Sequence, residues 1–292
     1  MAGPMIPDAI TARRPAASPR LCVASLLLIP LLTLSARAGP LEDAGAAHQR
    51  GNYAAAARLY QVLADQGNAN AQVSLADLYY NGQGVPQDYA RALGLYRRAA
   101  QQGHISAQAK LGPMYLNGRG TKQDFKEAQK WFRRAAALGF PGAQYGLAEI
   151  HFRGLGVEQD LLEAARWYGR AAEQGHVQAQ FTLAVLYQIG AGVRKNRQKS
   201  AYWFERAASQ GHAEAQSQLG NMYEAGRAVP RDQVIAYKWL ALAQSNARSM
   251  KVRTNAAKSL ERVAARMTPA QIGEGRRLAR EWRAMRSKVR QP

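Results

Sequence analysis

The feature that most constrains this chain is a short segment that recurs every 36 residues. Its close copies are AAQQGHISAQ, AAALGFPGAQ, AAEQGHVQAQ and AASQGHAEAQ, and a more distant copy, LADQGNANAQ, precedes them. Counted from the shared glycine, full units cover residues 67–102, 103–138, 139–174, 175–210 and 211–246, and residues 51–66 read as the second half of a further unit. A fixed period of this length predicts one elongated stack of repeats rather than two globular domains.

Each unit reads as two helices. In the first half, residues recur three and four apart, as in Gln180, Leu183, Ala184 and Tyr187, which places them on one helix face. The second half has helical spacing too, with alanine pairs at its end. One position in this half carries a bulky side chain in every unit: Leu95, Trp131, Trp167, Trp203 and Trp239.

The turn between the two helices also has a signature. Gly-x-Gly occurs there in most units, and glycine adopts the backbone angles that a sharp reversal needs. An Asp or Asn follows, placed to cap the second helix. Asp124 with Glu127, and Asp160 with Glu163, predict complete capping boxes. One first helix is unusual, because Pro113 lies in its middle and predicts a kink or a break.

These residues together resemble a known repeat. Residues 143–175, AQYGLAEIHFRGLGVEQDLLEAARWYGRAAEQG, are similar to the Sel-like repeat family (suppressor/enhancer-of-lin type), a relative of the tetratricopeptide repeats. The resemblance extends over about residues 45–246. It implies an all-α, right-handed α-solenoid of antiparallel helix hairpins, spanning residues 39–246, whose first helices line a concave groove that holds other proteins or peptides.

The first 38 residues have the composition of a secretory signal. Arginines precede an apolar run from Leu21 to Leu34, and the small residues that a signal peptidase requires follow it in Ala36-Arg37-Ala38. We expect cleavage after Ala38 and a periplasmic or secreted protein. A retained anchor is the alternative, but the run is shorter than the roughly 20 apolar residues that span a bilayer, and it contains Pro30.

No pattern in the sequence supports an enzyme, a metal site or a cofactor. The single cysteine, Cys22, lies in the predicted signal, so the mature chain would lack a thiol. His104, His176 and His212 occupy one position in different repeats, and stacking holds them too far apart to share an ion. The recurring carboxylates are explained as helix caps, and neither a phosphate-binding loop nor a nucleophile motif is present. We predict no catalysis, no metal and no cofactor.

The positions that vary between repeats predict where a partner binds. They lie on a face of the first helix different from the recurring ladder, and in a solenoid that face points into the groove. Aromatic residues ringed by polar ones suit protein binding, although some of the aromatic residues could instead pack against neighbouring first helices. The predicted groove residues are Val73, Asp77, Tyr80, Leu116, Tyr145, Glu149, Phe152, Phe181, Val185, Gln188, Asn221 and Glu224.

Residues 247–292 hold much of the excess positive charge of a chain whose formal net charge is +20. They predict two capping helices, the second beginning at Thr268-Pro269. Helical stripes are formed by Leu260, Val263, Ala264 and Met267, and by Leu278, Trp282 and Met285. The alternative is that basic residues here also bind an anionic membrane surface or envelope polymer. Those residues are Arg276, Arg277, Arg280, Arg283, Arg286, Lys288 and Arg290.

The sequence thus predicts an exported, non-enzymatic scaffold that binds a protein or peptide in its groove, in envelope assembly, secretion or signalling. Binding of an anionic envelope surface through the basic C-terminal helices is the second hypothesis, and a cell-wall enzyme is the least supported one. Nucleic acid is not an expected partner of an exported protein. The partner, the pathway and the oligomeric state stay open.

Overall fold

The computed structural model describes residues 39–289, and every regular element in that range is a helix. The predicted signal of residues 1–38 lies outside the described residues, as does Arg290. The helices are α1 (Pro40–Gln49), α2 (Tyr53–Asp65), α3 (Ala69–Asn81), α4 (Tyr89–Gln101), α5 (Ile105–Asn117), α6 (Phe125–Ala137), α7 (Pro141–Arg153), α8 (Leu161–Glu173), α9 (Val177–Ile189), α10 (Arg197–Ser209), α11 (Ala213–Ala225), α12 (Gln233–Asn246), α13 (Met250–Ala264) and α14 (Pro269–Val289).

The full repeats form helix hairpins that stack in chain order. Helices α3, α5, α7, α9 and α11 are termed the first helices, and α4, α6, α8, α10 and α12 the second helices. Each of them packs on the helix before it and on the helix after it. The strongest contacts that skip a helix join α5 to α7, α11 to α13 and α12 to α14. The predicted all-α solenoid of helix hairpins is confirmed, and α1 with α2 supplies the incomplete unit at its start.

The caps of the second helices are confirmed only in part. The side chain of Asp124 accepts the N–H of Glu127 at 3.0 Å, as predicted. The complete capping box is wrong, because the N–H of Asp124 already donates to the carbonyl oxygen of Tyr115 at 3.0 Å. The side chain of Glu127 therefore has no free N–H at Asp124 from which to accept a hydrogen bond, and the same holds for Glu163 at Asp160. These acids tie each second helix to the end of its first helix.

The predicted break at Pro113 is wrong. Helix α5 is continuous from Ile105 to Asn117 and has the same 13 residues as the other first helices. Pro113 lies on the exposed side of α5, where water can reach the carbonyl that loses its helical partner.

A ladder of buried glutamines links successive repeats, although periodicity alone placed these residues in the apolar stripe. Gln180 is fully buried, donates Nε2 to the carbonyl oxygen of Ala172 at 3.0 Å, and accepts from Nε2 of Gln210 at 2.8 Å. Gln108 lacks the second bond, because Leu138 stands where other repeats have the donating amide. Both bonds recur at Gln72, Gln144 and Gln216.

Helices α13 and α14 cover the last repeat. The predicted stripe on α13 packs against α12, in a cluster that contains Leu260, Val263, Ala264 and Met267. The predicted stripe on α14 is wrong in part, because Met285 is 61% exposed whereas Ala279 is 3% exposed. Helix α14 approaches α12 so closely that small residues face it, since a Cβ added at Gly275 would lie 2.8 Å from Tyr237. Trp282 packs beside Trp239 as expected, with ring centroids 6.4 Å apart.

Candidate functional site

The predicted groove residues all lie on the first helices, and none of them is fully exposed. Val73 and Glu224 are buried, at 8% and 9% exposure, so their placement on a free surface is wrong. Val73 belongs to the core because its side chain packs among the residues of the first hairpins. The half-buried members are Asp77, Tyr80, Leu116, Tyr145, Glu149, Phe152, Phe181, Val185, Gln188 and Asn221.

The aromatic members of this set pack at the joints between repeats. Tyr145 stacks on His176 with ring centroids 4.7 Å apart, and Phe181 stacks on His212 at 4.5 Å. Behind them lie the fully buried rings of Tyr168 and Phe204. Each aromatic side chain therefore packs against the core and keeps part of its surface accessible.

Two of the three acids of the predicted groove are held by tyrosines of their own hairpins. The hydroxyl of Tyr168 donates to Glu149 at 2.5 Å, and the hydroxyl of Tyr96 donates to Asp77. Burial and the adjacent carboxylate raise the pKa of both tyrosines above its ordinary value. Repeats that lack the acid also lack the tyrosine, and have Phe132, Phe204 or Leu240 in its place. These acids therefore help to hold the hairpins together.

Glu224 serves the C-terminal cap. Its carboxylate accepts from Nε and Nη2 of Arg262 at 2.7 and 2.6 Å, and Arg266 lies 3.7 Å away. The hydrogen bond from Arg262 holds the pKa of Glu224 below its usual value. The ion pair joins α11 to α13, so the prediction that Glu224 contacts a partner is corrected.

Histidine caps three of the first helices at the joints. Nδ1 of His104, His176 and His212 accepts the N–H three residues further along, at 3.4, 3.2 and 3.3 Å. Asn68 performs the same role in the first full repeat through its Oδ1. An acceptor at this position caps the first helix in four of the five full repeats, whereas Phe140, followed by Pro141, makes no such bond in the third. Capping therefore explains the recurrence of histidine without a metal.

We expect acid to weaken the joints at His176 and His212. Burial lowers the pKa of both imidazoles, and Glu214 opposes this at His212. The unfolded pKa is about 6.5, so the unfolded chain binds more protons just below that pH. The free energy of unfolding should therefore fall as the pH drops through about 6.5 and level off below the folded pKa. Urea titrations at about pH 7.5 and about pH 5.5 measure the difference.

Asparagine provides the control for this pH dependence, since it caps without titrating in the same range. Replacing His176 and His212 by Asn, the residue that Asn68 already places at this position, should shrink the difference between the two pH values. An unchanged difference in the double variant would assign the pH dependence to other groups.

Most of the basic residues predicted to form an anionic-surface site on α14 contact side chains of the cap or of α12. Arg277 pairs with Glu274 at 2.6 Å and with Glu281 at 2.5 Å, and these contacts raise its pKa. Arg280 and Lys288 are exposed. Arg276 and Arg283 contact α12, since Arg276 donates to Tyr237 at 3.2 Å and Arg283 donates to Ser245 at 3.3 Å. Arg286 lies 5.1 Å from the ring of Trp282 in the cap.

The two kinds of helix differ sharply in charge, which the sequence analysis did not separate. The second helices hold 13 Lys/Arg against 4 Glu, whereas the first helices hold 2 Lys/Arg against 4 Asp/Glu. All the cations of the second helices except Lys238 are exposed. Counting charge by helix rather than by terminus would have found this difference in the sequence.

Within residues 39–289, no group of His, Cys, Asp and Glu side chains is arranged to hold a metal ion. None of the helices in the same range combines the length and apolar character needed to cross a membrane.

Comparison with known proteins identifies the repeat. The sequence model of the Sel1 repeat matches residues 43–68, 69–104, 105–140, 141–176, 177–212 and 213–243. A crystal structure of a Sel1 repeat protein from Oxalobacter formigenes is similar, with 30% identity, a TM-score of 0.70, and coverage of 85% of this chain and 99% of that one. A protective antigen of uropathogenic Escherichia coli with an SLR fold is 29% identical, with a TM-score of 0.54 and coverage of 83% and 60%. No curated protein matches the chain.

Proposed function

The chain belongs to the Sel1 repeat family, and on that premise we propose that it is a non-catalytic scaffold that binds a protein or peptide along its first helices. Proteins built from Sel1 repeats are generally protein-interaction scaffolds. More specifically, we propose that the partner binds to a row of half-buried apolar side chains on the first helices.

The observation that carries the proposal is a row of half-buried apolar side chains on successive first helices. Tyr80, Leu116, Tyr145, Phe152 and Phe181 keep part of their surface accessible while packing against buried residues. Rings that are held in place lose little conformational entropy when a partner covers them. Because few charges lie on these helices, the row suits an apolar segment of another protein.

The contacts between repeats support an inner position for the first helices. Within the full repeats, the strongest contact that skips a helix joins α5 to α7, which are both first helices, and no pair of second helices there matches it. In a curved stack, the helices on the inner side lie closer to their counterparts in the next repeat than the helices on the outer side do. This arrangement would give a bound segment contacts with several repeats at once.

We also propose that the scaffold acts outside the cytoplasm, as residues 1–38 indicate by their sequence. Fractionation of cells that produce the full chain, with and without those residues, tests this part. Recovery of both forms in the cytoplasm would contradict it.

The binding face can be tested by adding bulk to it. Gly142 is exposed on α7 three residues before Tyr145 and therefore adjoins this row, and a Cβ added there meets nothing within 4 Å. Gly142→Tyr should leave the fold intact and obstruct the row. We expect the amount of protein captured from an envelope extract at high salt to fall roughly tenfold, as for loss of a central contact.

Gly169→Tyr is the matched control, because Gly169 lies on a second helix and also has open space around its Cβ. This variant should capture the same proteins as the unmodified chain. Equal capture by both variants, or equal loss from both, would contradict a partner site on the first helices.

A further inference from the structure

One exposed arginine per repeat lies in the last turn of four second helices. Arg98, Arg134, Arg170 and Arg206 occupy this position at 36-residue intervals. The last repeat has Leu242 instead, which is fully buried in a cluster that includes Ala279 of α14. Arginine thus occurs where the position is open to solvent and is absent where the C-terminal cap covers it.

Aromatic rings hold three of these arginines. Arg134 lies 4.9 Å from the centroid of Trp131, Arg170 lies 4.4 Å from that of Trp167, and Arg206 contacts Trp203 at 5.9 Å. Stacking restricts a flexible side chain, so less entropy is lost when its guanidinium binds an anion.

These arginines also lack a counter-charge. Within residues 39–289, no carboxylate forms an ion pair with any of the four. In the first two turns of the same helices, Arg91, Lys130 and Arg166 are each paired with an acid on the same helix or at its cap. Lys126, Arg197 and Lys199 in those turns form no ion pair within the described residues. The last-turn arginines add unpaired positive charge at the edge of the stack that carries the joints between repeats.

At the same edge the N-terminus of each following first helix, for example at Ile105 or Val177, lies next to the C-terminus of the second helix before it. The partial charges of the two helix ends offset each other, so the arginines supply the net positive charge. The carboxylates nearest in sequence are Glu173 and Glu205, both exposed. Arginine at a helix C-terminus also stabilises that helix. Helix stabilisation is enough to explain a cation at each single position. The anion-binding role requires in addition that the four arginines bind one ligand together.

We propose that this edge binds a linear anionic polymer through Arg98, Arg134, Arg170 and Arg206. A guanidinium can form two parallel hydrogen bonds with a carboxylate, and a regular series of cations fits a chain of regularly spaced anions. Arg98 already donates one N–H to the carbonyl oxygen of Ala64 at 3.0 Å, and Arg206 donates one to the hydroxyl of Tyr202 at 3.1 Å, so their remaining N–H groups would meet the polymer. Several weak contacts on one polymer reinforce one another, whereas a single anionic unit gains from only one of them. This site is separate from the first-helix row and does not depend on a protein partner there.

Polygalacturonate, a linear polycarboxylate, is a suitable probe for titration of the purified full chain. The test variant is Arg134→Gln, Arg170→Gln and Arg206→Gln combined. The control combines Arg91→Gln, Lys130→Gln and Arg166→Gln, which removes the same charge from second helices at positions already neutralised. We expect the dissociation constant to rise about tenfold or more in the test variant, with a weaker salt dependence, and less than about threefold in the control.

Circular dichroism and thermal unfolding establish that both variants fold, and single substitutions with graded losses replace the combination if it does not. Equal losses in the two triple variants would overturn the proposal in favour of net charge alone. Monomeric galacturonate binding as tightly as the polymer would also overturn it. The proposal would likewise be overturned if vesicles with anionic headgroups bound the chain more tightly than the polymer does and lost that binding in the test variant.

Discussion

Gly192→Ala lowers the free energy of unfolding by about 3 kcal/mol, the sum of an unfavourable backbone angle and overpacking. Gly192 ends a Gly-x-Gly turn with φ at 66°, where side chains are disfavoured. A Cβ there would overlap the carbonyl oxygen of Leu161, at the start of the preceding second helix. Backbone cannot swing aside as a flexible side chain can, so the joint between the two hairpins must open. Urea unfolding followed by circular dichroism measures the loss.

Gly175→Ala separates the two causes. Gly175 also has positive φ, at 87°, but a Cβ there meets nothing within 4 Å. Its cost should be about 1 kcal/mol, the penalty of the backbone angle alone. Ala228 holds the position equivalent to Gly192 in the last repeat with φ at 67°, so the stack tolerates alanine at this backbone angle, and the larger cost at Gly192 must come from the overlap with Leu161. If the two variants lost equal stability, the close approach to Leu161 would not contribute.

The turn glycines show what could be read from the sequence. The recurrence of Gly-x-Gly predicted the reversals, and the period predicted the hairpin stack, because both depend on local geometry. The contact between the second glycine and the preceding repeat could not be predicted in the same way. It depends on how closely successive hairpins pack, and that distance is set by side chains about 36 residues away.

The same limit explains the corrections to the candidate site. Helical spacing placed Glu224 on the predicted groove face, and only the position of α13 shows that Arg262 occupies its carboxylate. Asp77 and Glu149 were assigned to the groove from spacing, whereas their tyrosine partners follow from packing within a hairpin. The sequence did contain a signal for these contacts, because the tyrosine occurs only in the repeats that have the acid.

Gly146→Ala lowers the free energy of unfolding by about 2 kcal/mol, because overpacking outweighs the gain in helix propensity. A Cβ at Gly146 would lie 2.5 Å from Phe132, whose ring is 2% exposed. Phe132 cannot retreat, since a Cβ at Gly112 on the opposite first helix would also lie 2.5 Å from it. The two glycines let α5 and α7 close around one ring, so the added methyl group separates them. Urea unfolding of the variant gives the value.

Two further variants test this cause. Gly169→Ala, in the interior of α8 with open space around its Cβ, should raise the free energy of unfolding by about 0.5–1 kcal/mol through helix propensity. Combining Gly146→Ala with Phe132→Leu should cost less than the two single changes added together, because the smaller side chain makes room for the methyl group. Leu240 holds this position in the last repeat, where Gly220 faces it, so leucine is compatible with the stack. Strict additivity would show that the ring and the methyl group do not compete for one space, and the destabilisation would then require another origin.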